Sequence, residues 1–130
     1  MNHKVIKETV LGSLSGTITF PQVVGKLLAE GIESYHVDLV RSENRYYMPS
    51  GETHVEKVSF DHSQAESVFS SLGVQSAIKA IQNNEINYVQ FVNQVLHSGC
   101  VYYIAYLSGR QVVYFGRRGE MHIERFPDSK

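Results

Sequence analysis

One cysteine (Cys100), three prolines and no tryptophan occur in a chain of 130 residues. A lone cysteine excludes an internal disulfide framework and any thiol-rich metal centre, so stability has to come from a packed core. Charge of one sign is missing as well: twelve Lys and Arg against thirteen Asp and Glu leave a net charge of −1. That balance gives no global electrostatic footprint for nucleic acid or an acidic membrane surface. The local basic group Arg110, Arg117, Arg118 and Arg125 is interleaved with Glu120 and Glu124, which argues against nucleic acid as a partner. No apolar run approaches the roughly 20 residues that span a bilayer, and residues 1–10 lack the continuous apolar region of a secretory signal. The expectation is a protein of the reducing cytoplasm with no membrane partner. With 42% hydrophobic and 19% charged residues the composition is that of a globular chain.

What the chain does have is a repeat. Residues 20–58 align without a gap on residues 88–126, at an offset of 68, and eleven of the 39 pairs are identical, among them Tyr35/Tyr103, Tyr46/Tyr114, Glu52/Glu120, His54/His122 and Glu56/Glu124. Ordinary residue usage gives about two or three matches over such a length. Duplication of one unit is the economical explanation, and two units too small to stand alone predict one fused domain, with repeats at about 1–58 and 63–126.

Within each copy the hydrophobic period changes from 3.6 to 2. Phe20, Val23, Val24, Leu27 and Leu28, answered by Tyr88, Phe91, Val92, Val95 and Leu96, trace one stripe of a helix. Thr19 and Asn87 are capping residues, and Gly31 and Gly99 are stops. Leu28 and Leu96 are expected in the core. Alternation through residues 33–39 and 101–107, then turn residues and two further short runs, predicts a three-stranded antiparallel meander after each helix. Additional helical spacing precedes each copy, over residues 4–14 and 63–82, the second with a start near residues 61–63 and a break at Gly73. The fold class is α+β, with pseudo-twofold symmetry.

The copies differ on one strand face. Ser34, His36 and Asp38 correspond to Tyr102, Ile104 and Tyr106, and an apolar strand face needs a cover. Either the extra helix of residues 63–82 lies over Tyr102, Ile104 and Tyr106, or those residues form the interface of a homodimer or with another protein partner.

Several short runs carry a family likeness: Phe20-Pro21, Gly31 to Tyr35, Tyr46-Tyr47 before Ser50-Gly51, Tyr88 and Phe91, Ser98-Gly99, and Glu124 to Pro127. Together they resemble the YbcV-like proteins, small bacterial proteins sometimes labelled phage envelope protein. The resemblance spans nearly the whole chain. Its motifs are helix stops, turn glycines and core aromatics, so it implies a fold and a prophage-associated setting and brings no catalytic residues.

The one recurrent polar pattern is Gly-Glu-x-His-x-Glu, at residues 51–56 and 119–124. On a strand it sets Glu52, His54 and Glu56, and likewise Glu120, His122 and Glu124, on one face, with Val55, Met121 and Ile123 on the other. Its plain reading is the polar outer face of an amphipathic strand. The chemical reading is a binding, metal or acid/base site formed if a twofold brings both copies together. Phosphate-cradling loops, nucleophile elbows and zinc signatures are absent, so no cofactor and no catalytic residue is expected. The leading function is a non-enzymatic interaction or accessory protein. The alternatives are a small metal-dependent or acid/base enzyme using the two histidine strands, and a small-ligand binder with a pocket between the repeats lined by Tyr47 and Tyr106.

Overall fold

A computed structural model describes residues 1–127. Two helices, α1 (His3–Ser15) and α2 (Phe20–Ala29), lead into β1 (Ser34–Asp38), β2 (Glu43–Tyr47) and β3 (Thr53–Lys57). The same order follows again as α3 (Ser71–Gln82), α4 (Tyr88–His97), β4 (Cys100–Tyr106), β5 (Gln111–Gly116) and β6 (Met121–Arg125). The fold is α+β: six antiparallel strands in the order β3-β2-β1-β4-β5-β6, backed by four helices.

Local chemistry explains the element ends. Gln22 is the third residue of a capping box, its Oε1 accepting from the Thr19 amide at 2.8 Å, and Gln90 does the same for the Asn87 amide at 2.9 Å. Each box ties down an amide that the first helical turn leaves unpaired. Positive φ occurs at residues 16, 31, 42 and 51 and again at 84, 99, 110 and 119. Every one of these positions recurs at the offset of 68, so the correspondence reaches back to the end of α1, beyond the identical residues. The central pairing agrees with it. β1 lies against β4 with His36 opposite Ile104, residues that are themselves 68 apart, as an axis through that pair requires.

All four helices lie on one face of the sheet. Ile6, Leu27, Val74, Ala77, Val92, Val95 and Leu96 from the helices meet Tyr35, Val37, Tyr46, Tyr103, Ala105 and Tyr114 from the strands in one core. Tyrosines build its floor: the rings of Tyr35 and Tyr46 stack at 5.4 Å, and those of their counterparts Tyr103 and Tyr114 lie at 5.3 Å. Two of their hydroxyls are paired inside the core, that of Tyr103 with the Tyr88 hydroxyl at 2.7 Å and that of Tyr46 with Asn44 Nδ2 at 3.1 Å. Burial pushes the Tyr88 phenol up to about 12, which keeps it neutral.

Three expectations are corrected. The helix expected from residue 63 starts at Ser71, because Ser70 caps it by accepting the Gly73 amide at 3.0 Å. Gly73 is therefore no break. It lies in the first turn, where a Cβ would overlap the Ser98 side chain. Residues 59–70 instead run past the end of α4, with the Glu66 amide on the Leu96 carbonyl at 2.9 Å and the Ser70 amide on that of Ser98 at 2.8 Å. The third correction concerns Leu28, which is 43% exposed while Leu96 is 1% exposed. The connecting segment, with Ala65 and Phe69 against the core, lies over the second copy of the helix end only.

Candidate functional site

The histidine strands face the helices, which overturns their reading as a polar outer face. Register puts His54 opposite Tyr46 and His122 opposite Tyr114, and both tyrosines lie in the core. The tilted ring contacts are alike, 6.5 Å for Tyr46 and His54 and 6.4 Å for Tyr114 and His122. His54 Nε2 is 2.9 Å from Glu56 Oε1, and His122 Nε2 is 3.1 Å from Glu124 Oε1. Each pair seals the margin of the tyrosine layer with a polar group that satisfies its own partner. Around His54 the helix layer adds a stacked His3 ring at 3.8 Å and Lys7, whose Nζ is 3.8 Å from Glu56.

The two copies of this pattern do not converge. β3 and β6 are the opposite edges of the sheet, so five strand spacings, roughly 24 Å, separate them. Glu52 and Glu120 leave the pairs altogether. Glu52 binds the Met1 amino group at 2.6 Å, and Glu120 accepts the Arg118 amide at 2.9 Å within its turn. Among the described residues no group of three or more His, Cys, Asp or Glu side chains is placed to hold a metal ion.

Among the described residues Tyr47 and Tyr106 do not come together around a pocket. Tyr47 and Tyr106 flank Ser34 on the sheet surface facing away from the helices, about 10 Å apart. One cavity of about 10 Å³ lies beside Val37, Asn44, Phe60 and His62, room for a single water. A shallow groove of about 250 Å³ runs between α1 and β3, along Val10, Leu11, Leu14 and Val58. Neither is lined by Tyr47 or Tyr106. Three of the four arginines are engaged locally: Arg110 donates to the Pro127 carbonyl at 2.9 Å and lies over the Phe126 ring, Arg117 donates to the Ala65 carbonyl at 2.9 Å, and Arg125 donates to Gln111 Oε1 at 3.2 Å. Cys100 is buried in the core, which pushes its thiol up to about 12, the state of an inert thiol.

The site that remains is the open face of the sheet, and the halves divide it. On β1–β3 it carries Ser34, His36, Asp38, Glu43, Arg45, Tyr47, Thr53, Val55 and Lys57. Arg45 donates to Glu43 at 2.9 Å and Arg41 at 3.3 Å, and this pairing holds the Glu43 carboxyl below its usual range. On β4–β6 the same positions read Tyr102, Ile104, Tyr106, Gln111, Val113, Phe115, Met121, Ile123 and Arg125. Tyr102, Tyr106, Met121 and Ile123 are exposed. The intramolecular cover expected from the segment before α4 is absent, since α3 packs on α4 and the core at the opposite surface. In the sequence only the β4 part of this face is legible. Met121, Ile123, Val113 and Phe115 were legible as its continuation only once β5 and β6 were set beside β4. The sequence matches no family model and no curated protein.

Proposed function

We propose that this chain is a non-enzymatic bacterial interaction protein, prophage-associated and cytoplasmic, that works through the open face of β4–β6. We take its halves as copies of one duplicated unit, with the second copy turned to binding. One observation carries the reading: an apolar half-face, uncovered by any described segment, adjoins a polar half-face built at the same positions of the same strands. Exposed contiguous apolar surface is costly in water and is kept where a partner covers it. The polar half is the internal control, because the fold alone is satisfied with Ser34, His36 and Arg45 there. No described helix is long and apolar enough to cross a membrane, so the partner sought is a protein surface.

A photo-cross-linking side chain at position 123, compared with the same group at position 55, tests the reading in producing cells. Adducts of one discrete protein from position 123 and none from 55 are expected. Equal labelling from the two positions, or none from either, would overturn it.

A further inference from the structure

We propose that the β4–β6 face binds a second copy of this chain, sheet to sheet, about a twofold axis parallel to the strands and crossing β5. The inference rests on the reading of that face as an interaction surface and names its partner. An isologous contact demands a patch complementary to itself. A twofold along β5 lays β4 of one copy over β6 of the other and β5 over itself, and it keeps the cross-strand rows level.

Register fixes what each row then meets. In one row Arg125 is level with Tyr106, so the guanidinium of one copy lies over the phenol ring of the other, a cation on an aromatic face. Gln111 between them meets itself, and two amides can donate and accept reciprocally. The middle row brings Ile104 onto Ile123 and Val113 onto its own copy. In the third, Met121 meets the Tyr102 ring, a sulfur–aromatic contact. No acidic residue stands on this half-face, and its one cation is carried onto an aromatic ring instead of onto its own image. β1–β3 extend past the partner's β6 edge, so Arg45 and Lys57 keep their water, and Glu43 stays buried against the arginines that pair with it.

Area sets the strength. Three strands of five residues offer about 14 Å by about 17 Å, roughly 400 Å² of accessible surface with side-chain relief, half of the roughly 800 Å² per partner of a standard stable interface. A reversible dimer with a dissociation constant of micromolar order or weaker fits that size.

Sedimentation velocity of the full chain from about 5 to about 500 µM tests the proposal. The expected result is a concentration-dependent monomer–dimer equilibrium that Ile123→Asp weakens about tenfold or more, since the dimer would bury an unpaired charge. Met121→Asp, at a second exposed position, is expected to act alike. Val55→Asp, the counterpart of position 123 on the solvated half, is expected to leave the equilibrium unchanged. A wild type monomeric throughout, or a dimer disturbed equally by Ile123→Asp and Val55→Asp, overturns the proposal. A monomer in solution whose position 123 still cross-links to another protein in cells defeats self-association and leaves the interaction surface standing. A monomer without adducts removes both.

Discussion

Leu28 and Leu96 are identical residues 68 apart, at corresponding places in the two halves, yet one is 43% exposed and the other 1%. Their helices begin with the same capping box and end at the same left-handed glycine. The difference is what each half has lying beside it. Residues 59–70 pass the end of α4 and close over it, whereas among the described residues the end of α2 has no such neighbour. Met48 and Gly116, another corresponding pair, make the same point. Gly116 lies so close to Phe69 that a Cβ would come within 2.9 Å of that ring's own Cβ, while the Met48 side chain reaches the Gly31 position from its own strand end. Corresponding positions of the two halves therefore do not share an environment, and residue identity at such positions does not guarantee equal burial.

The open face teaches the converse. None of its nine corresponding pairs is identical, from Ser34/Tyr102 to Lys57/Arg125, although Tyr35/Tyr103, Tyr46/Tyr114, His54/His122 and Glu56/Glu124 beneath them are. The constrained positions are those that meet the helices, because close packing penalises a change of even one methylene. The opposite face has no such neighbour among the described residues, and it is polar in one half and apolar in the other.

The widest gap between the halves is expected from truncation of the leucines. Leu96→Ala should cost about 2 to 5 kcal/mol, and Leu28→Ala less than about 1 kcal/mol, because only the first leaves a cavity. Equilibrium urea unfolding measures both, and equal losses would mean that the connecting segment does not cover α4. A smaller contrast is expected at the glycines. Gly31→Ala and Gly99→Ala share the strain of a side chain at positive φ, about 1 to 2 kcal/mol, but at Gly99 the new Cβ also overlaps the backbone of Val68 and Phe69. Gly99→Ala should therefore lose about 1 to 3 kcal/mol more than its counterpart, and a reversed order would contradict the path of residues 59–70.

The histidine pairs are predicted to differ least. His54→Asn and His122→Asn each lose one hydrogen bond to a glutamate at a half-buried edge, about 1 kcal/mol. A loss at His54 several times that at His122 would show that the His3 stack and Lys7 matter more than the shared pattern.

The smallest effect concerns His36, which faces Ile104 across the join. Desolvation, then the charge of Arg45, lowers its pKa in the folded protein. A histidine so depressed binds its proton more readily when unfolded. Its contribution is whole above the ordinary value near 6.5 and is lost as pH falls through the folded value. Wild type should lose more stability than His36→Gln between about pH 7 and pH 5. Parallel pH profiles for the two proteins would remove the effect.

Much of the fold was legible because it depends on local spacing. The change of period from 3.6 to 2 after Gly31 and Gly99 marks helix and strand in any half-buried amphipathic chain, and α2, α4 and the six strands follow it. The candidate site was half legible: the apolar character of Tyr102, Ile104 and Tyr106 could be read from β4, but its extension over β5 and β6 could not. The histidine pattern was read with the correct alternation and the wrong side. Alternation says which residues share a face and is silent on which face the helices cover.

By itself, then, the sequence determined the elements, their order, and the sets of side chains that share a face, since these rest on backbone geometry a few residues long. Only the tertiary structure decided that all four helices lie on one side, that β1 joins β4 and so sends His54 and His122 to opposite edges, and that the apolar half-face stays open. Those outcomes depend on contacts between residues far apart in the chain, and no local period encodes which of two chemically plausible neighbours will fill a given face.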